Sequence, residues 1–429
     1  MRRIRHRPKT PRPLHWRTTL ACLLAAPLLI AAADEPQQRQ PQTPAEWVGT
    51  IQQIERHLSD MPDDTSARQS LAIAHNNCAV ALLNEGHLSD AKLHLQESLR
   101  IDPSNAHARA NFVMLNIRAA QAADAAGQSQ VARAVLRDAL ALDPQSVPAY
   151  VLLGQIEYNT QRLKEAKAAW SKALTLDPSL TDVAKRLQQL NQELPVESKF
   201  ERMSQGSFDI RYADGLDLPA GFDLRDVLTR ARREIGSDFA LWSRRKIVVL
   251  VYSADQFRQL RQDTPDWVAG QYDGKIRFPL PGAGINQATA EHVLFHEYTH
   301  AVIHELTDNR CPTWLNEGFA DYEAWKHDQH PWASLRRAAA ANALIPWGEL
   351  STHFSTTASA QDVSLAYEES HSIVRYLVER YGMWHMRRVL KAASDKAPLD
   401  KVWDSELHIK ASRLEENWRT WLDEQLGSG

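Results

Sequence analysis

An Asp-Pro pair recurs at Asp102-Pro103, Asp143-Pro144 and Asp177-Pro178, inside an alanine- and leucine-rich stretch of helical character. This punctuation constrains the fold more than any other feature of the chain. A proline disfavours the helical conformation in the residue before it, so each pair stops one helix and starts the turn to the next. The second and third pairs lie 34 residues apart and the first and second 41, so the middle unit carries about seven extra residues. Counting back from each proline places small residues where paired helices must approach closely. These are Ala79, Ala91 and Ser98 in the first unit, and Gly154, Ala166 and Ala173 in the third. Leu82, Leu95, Tyr150 and Trp170 supply the bulk between them.

A helical period of 34 with this pattern resembles tetratricopeptide repeats, most clearly in the third unit. Residues 45–194 are therefore expected to form an all-α solenoid, ending in the polar-faced helix "SLTDVAKRLQQLNQEL". One repeat cannot close a core alone, and stacking leaves an open groove. The resemblance implies a protein partner on that groove. The plainer alternative is that the array only spaces or solubilises the second half of the chain.

Residues 1–33 hold seven basic side chains and no acid, then an apolar run ending in Ala31-Ala32-Ala33. That is the layout of a secretory signal, with a charged start, a short apolar core and a small-residue cleavage site. The apolar run is shorter than the ~20 residues of a spanning helix. Export to the periplasm or beyond is expected, with a Pro/Gln-rich linker over 34–44; attachment to a membrane is expected only if the segment stays uncleaved. The formal net charge of −3 includes this basic start. Without it the body is more acidic, which argues against a nucleic-acid partner. Cys78 and Cys311 fall in different halves, so no disulfide is expected. Cys311 reads as a small buried hydrophobe rather than a ligand.

From about residue 199 the rhythm changes. "SFDIRYA", "RKIVVLVYS" and "DGKIRFPLP" read as strands, with a helix from Leu224 to about Ala240 between the first two. Helices follow at about 287–306, 313–327, 362–381 and 405–426. Short strands first and long helices afterwards predict an α+β domain over 199–427, its last strand forming a sheet edge beside a cleft.

The chemistry is concentrated in "HEYTH", residues 296–300. Residues i and i+4 share a helix face, so His296 and His300 can hold one ion, a pair that suits tetrahedral zinc. Glu297 is rotated about 100° away, placed for a general base acting on metal-bound water rather than for a ligand. His292 and His304 repeat the four-residue spacing but bring no glutamate directly after the first member of a pair. Sixteen residues separate His300 from Glu317 in "CPTWLNEGFADYEAW", enough for a helix–loop–helix to return a third ligand. Gly318 is expected to let those two helices pass closely. Asp321, one turn past Glu317, can accept the other ring N–H of a ligand histidine.

"LFHEYTHAVI" followed by "PTWLNEGFADY" resembles the gluzincin zinc metallopeptidases, of thermolysin and aminopeptidase N type. Within them it is similar to peptidase MA-like domains attached to tetratricopeptide repeats. The likeness extends to "YDGKIRFPL", "AYEESHSIVRYLVERYG" and "LEENWRTWL". It implies a thermolysin-like fold, Zn²⁺ on His296, His300 and Glu317, Glu297 as general base, and Asp321 behind a ligand histidine. Tyr367 takes the place of a transition-state tyrosine, with Tyr322, Tyr298 and His371 as competing donors. The "GAGIN" at 282–286 lacks the glutamate with which aminopeptidases of this type hold a free amine. The resemblance therefore implies an endopeptidase on a protein or peptide substrate, held by β-augmentation on "KIRFPL". The alternative is a repeat-based adaptor or envelope assembly factor with a catalytically silent zinc domain.

Overall fold

In a computed structural model, the described residues are 43–213, 223–260, 271–280, 287–354, 358–394 and 398–427. The expected signal segment, nearly all of the linker and "GAGIN" lie outside them. The described residues divide into two compact units, one running to Leu194 and the other starting at Pro195. No helix among them is long and apolar enough to cross a membrane.

The first unit is built of helices: α1 (Pro44–Asp60), α2 (Thr65–Asn84), α3 (Leu88–Ile101), α4 (Ala106–Ala125), α5 (Ser129–Leu142), α6 (Val147–Asn159), α7 (Leu163–Leu176) and α8 (Thr181–Glu197), whose last three residues fall past its boundary. The Asp of each Asp-Pro pair caps the second helix of its unit in extended conformation, with φ of −133°, −132° and −140°. Its carboxylate then accepts a backbone N–H two residues on, from Ser104, Gln145 and Ser179 at 2.9, 3.0 and 3.0 Å. The proline sets the backbone and the aspartate closes the turn. Ala79, Ala91, Ser98, Ala166 and Ala173 are fully buried. A Cβ on Gly154 would lie 2.2 Å from the Trp170 ring. Of the expected bulky residues, Tyr150 is only half-buried. The three second helices have 14 residues each, whereas the first helices have 20, 20 and 13. The seven extra residues of the middle unit therefore lie wholly in α4.

The second unit holds a five-stranded sheet of order β1-β2-β3-β5-β4. Its strands are β1 (Glu201–Gln205), β2 (Phe208–Tyr212), β3 (Ile247–Tyr252), β4 (Gln271–Tyr272) and β5 (Ile276–Pro279). β2–β3 and β3–β5 pair in parallel, while β1 and β4 flank them antiparallel. The centre β3, "IVVLVY", is buried at all six positions, as a parallel strand covered on both faces requires. Three strands were expected and five are present among the described residues. β5 is not a free edge, because β4 pairs with it at Ile276 and Arg277.

The helices of this unit are α9 (Leu224–Phe239), α10 (Ala254–Leu260), α11 (Gln287–Thr307), α12 (Thr313–Ala324), α13 (Ala333–Ala340), α14 (Ala360–Ser394), α15 (Leu399–Leu407) and α16 (Ala411–Gly427), with a 3-10 turn at Leu350–Phe354. One face of the sheet joins α9 and α11 in the main core through Ile210, Val249, Val251, Phe278, Leu228 and Leu294. The opposite face carries Val248, Leu250 and Tyr252 against Phe257 of α10. Three expected helices have different bounds. The one from 313 stops at Ala324; the one from 362 runs to Ser394 with a break at Gly382 (φ 80°); and 405–426 is two helices. α13 was not foreseen.

Candidate metal centre

α11 and α12 are joined by a short loop whose Asp308 and Asn309 have positive φ, which turns the chain back on itself. This return brings together the histidines of one helix and the glutamate of the next. His296 Nε2 and His300 Nε2 lie 3.0 Å apart, and Glu317 Oε2 lies 3.4 Å from each. A tetrahedral ion with bonds of ~2.0–2.1 Å needs its ligand atoms roughly 3.3–3.4 Å from one another. The triangle fits that requirement. Among the described residues these three form the group able to hold a metal ion.

Two further observations test the fit. Glu317 Oε2 is buried and accepts no hydrogen bond, so the site holds an anionic oxygen turned toward two imidazoles. His296 Nδ1 lies 2.9 Å from Asp321 Oδ1. Its N–H donates there, which leaves the Nε2 lone pair facing the triangle. His300 Nδ1 has no partner among the described residues, so nothing comparable fixes that ring.

The same carboxylates also draw protons to these rings, so a proton and a metal ion would compete for them. Burial pulls the His296 pKa down, but the Asp321 and Glu317 carboxylates raise it well above the usual histidine range. His300 is raised in the same way, its burial outweighed chiefly by Glu317. Burial pushes Glu317 up, and the two imidazoles, His300 foremost, hold it well below the usual carboxylate range. Glu297 is buried beside them, and its charge acts on His296, His300 and Tyr367.

Tyr367 reaches the centre from α14. Its ring is 6.3 Å from that of His296, and its side chain interacts with Glu317. Burial, then Glu317, raises its pKa well above the usual tyrosine value, so it is a neutral O–H donor. Phe354 packs edge-on against it at 5.0 Å, a contact no sequence signal announced. The competing donors lie elsewhere. Tyr298 is fully buried beneath the sheet, 5.8 Å from Phe208. Tyr322 is half-buried, near Glu323, Lys326 and Asp238. His371 accepts a hydrogen bond from Trp332 Nε1 at 2.9 Å and stacks on His330 at 4.6 Å.

The outer histidines have other partners. His292 Nε2 lies 2.7 Å from Asp328 Oδ2, and the His304 ring packs edge-on to Tyr272 at 5.8 Å. Burial, with Arg245, lowers the His304 pKa to about 4. Cys311 lies in the core and is no member of the metal-holding group. One expectation needs correcting. Gly318 was expected to face α11, but the atoms nearest to a Cβ there are on α14: the Ser370 carbonyl oxygen at 2.5 Å and Val374 Cγ2 at 2.8 Å.

With this geometry in view, comparison with known families gives two matches. Residues 271–424 match the model described as the Peptidase MA superfamily, and residues 147–180 match a tetratricopeptide repeat. Peptidases of that superfamily are typically metal-dependent, in keeping with the cluster. No curated protein matches the chain.

Proposed function

We propose that this chain is an exported zinc metallopeptidase of the gluzincin type, with a thermolysin-like domain, acting on proteins or peptides brought to it by its repeats. The observation that carries the reading is the buried triangle of His296, His300 and Glu317, with Asp321 behind one histidine and Glu297 beside it. A structural ion has no use for an extra buried carboxylate next to its first ligand. The match of residues 271–424 supports peptidase chemistry, and that of 147–180 supports protein interaction. Export rests on the sequence layout of residues 1–33, and intact-mass measurement of the mature N-terminus tests it.

His296, His300 and Glu317 would hold zinc, which when bound supplies Lewis acidity to water and to the scissile carbonyl. Asp321 keeps His296 in the tautomer that presents Nε2. Glu297 takes a proton from the attacking water and returns it to the leaving amine. The Tyr367 hydroxyl donates to the carbonyl oxygen as negative charge develops there. The absence of an amine-holding glutamate in "GAGIN" favours endopeptidase over aminopeptidase action.

The test is Glu297→Gln, assayed on an unfolded protein and on zinc content together. Zinc should remain stoichiometric while cleavage falls by roughly 10²–10⁴-fold. Undiminished cleavage by the variant would reject the mechanism. A parent that binds partner and zinc but cleaves nothing would make the chain an adaptor.

A further inference from the structure

α11 and α12 make one pairing more than the metal centre uses. His292, His296 and His300 follow one another at one-turn intervals on α11, and Glu317, Asp321 and Trp325 do so along α12 and its C-cap. They meet in order. His300 Nε2 is 3.4 Å from Glu317 Oε2, His296 Nδ1 is 2.9 Å from Asp321 Oδ1, and the His292 and Trp325 rings lie 4.3 Å apart. The third pair therefore stands one turn, about 6 Å, along the helix from His296.

From Trp325 the rings continue as a wall. His330 lies 4.8 Å from Trp325 and stacks on His371 at 4.6 Å, one turn past Tyr367 on α14. The charge of Asp321 acts on His330, so that ring is close to the metal centre. The rings are also held from behind. Asp328 Oδ2 is 2.7 Å from His292 Nε2, and the Trp332 backbone N–H donates to His330 Nδ1 at 3.3 Å. Trp332 is buried with φ of 46°, a left-handed conformation that a bulky residue keeps only where its surroundings impose it. A metal centre needs none of these contacts. Nor is the wall sealed: His292 keeps 19% of its side chain exposed, against 16% for both His296 and Glu317, and Trp325 and His330 are half-buried.

An extended chain advances about 3.3 Å per residue, so a substrate with its scissile carbonyl at the metal centre passes this wall within about two residues. The hydrogen bond to Nδ1 leaves the His330 proton on Nε2. An aromatic face accepts such an N–H and pairs edge-on with neighbouring rings, whereas an aliphatic side chain of equal size does neither. We propose that His292, Trp325 and His330 select an aromatic side chain within about two residues of the scissile bond, against an aliphatic one of the same bulk. This rests on the peptidase reading of the metal centre.

The test uses glycine–alanine peptides carrying one phenylalanine or, at the same position, one cyclohexylalanine, which matches its bulk without the π system. Cleavage by the zinc-loaded parent is mapped by mass spectrometry, and binding is measured by calorimetry on zinc-loaded Glu297→Gln. Where the parent cuts, kcat/KM decides; where it cuts nothing, binding decides. The phenylalanine peptide should be preferred roughly 3–10-fold and cut within about two residues of its ring. Trp325→Leu should bring that ratio close to one, while zinc stays bound and cutting of the cyclohexylalanine peptide holds within about twofold. His330→Ala removes a half-buried ring, should lower the ratio in the same direction, and decides the matter if Trp325→Leu does not fold. A parent that cuts neither peptide yet binds phenylalanine preferentially, through Trp325, would reject the peptidase reading and keep the wall. Equal cutting of the two peptides would keep that reading and overturn the wall. A preference unchanged in both variants, or binding and cutting of neither peptide, would also overturn it.

Discussion

Gly318 of α12 touches the backbone of Ser370 on α14 so closely that a Cβ at position 318 would lie 2.5 Å from the Ser370 carbonyl oxygen. The contact fixes the distance between the helix that carries Glu317 and the helix that carries Tyr367. Gly318→Ala should destabilise the protein by about 1–3 kcal/mol, because a carbonyl oxygen in a helix cannot move aside. Metal affinity should fall with it. Trimming the neighbouring side chain, Val374→Ala, should rescue neither fully, since the nearer clash is with backbone. Thermal unfolding and zinc competition check both, and a fully stable Gly318→Ala with unchanged affinity would refute the account.

Zinc should be lost in His296→Ala, His300→Ala and Glu317→Ala, and retained in His292→Ala and His304→Ala. Asp321→Asn should bind zinc roughly 10–100-fold more weakly, since it disturbs the acceptor that orients His296. Metal analysis after dialysis against a chelator measures this. Full occupancy in Glu317→Ala would remove the third ligand from the assignment.

Tyr367→Phe should keep its zinc and lose about 10²–10³-fold in kcat, with a smaller change in KM, as expected for a donor engaged mainly in the transition state. His371→Gln should affect the rate far less, because His371 Nδ1 already accepts from Trp332. A larger rate loss in His371→Gln than in Tyr367→Phe would reverse their roles.

Glu369 is fully buried, accepts from Ile345 N at 3.0 Å through one oxygen, and has no partner for the other among the described residues. Burial raises its pKa from 4.5 to about 8. The folded state therefore holds a proton that the unfolded state releases, and stability declines as pH rises from about 4.5 to 8. Glu369→Gln removes that penalty while keeping the acceptor for Ile345. It should be more stable than the parent by roughly 2–4 kcal/mol above pH 8, with the gain vanishing near pH 4. Urea unfolding across that range decides it; a pH-independent difference would disprove the linkage.

What the sequence disclosed depended on how local each cause was. The repeat turns were legible because Asp-Pro acts within three residues, although the capping role of the aspartates showed only in the hydrogen bonds. The spacing of His296, His300 and Glu317 was legible because helical geometry and one loop length place them. β1, "ERMSQ", carries no apolar run and is held by its hydrogen bonds to β2, so its composition gave no signal. β4 has only two residues. Tyr367 and His371 lie one turn apart on α14, and only tertiary packing separates the one beside His296 from the one beneath Trp332. Gly318 was read as a point of close approach, but the partner helix lies some fifty residues on in sequence, beyond any local pattern.

The seven residues that lengthen α4 relative to α6 are also a statement about phase. Seven residues turn a helix to within about 20° of two full revolutions, so the inward stripe returns almost to its starting azimuth. An insertion of four would swing that stripe by roughly 40° and misalign it with its neighbours. Helices in such an array can thus grow in steps of about 10 Å without losing their seam. α2 and α4 share one length and α6 is a step shorter, so the solenoid has rungs of unequal span. The step in length between α4 and α6 thus distinguishes the second unit from the third, although their second helices are equally long.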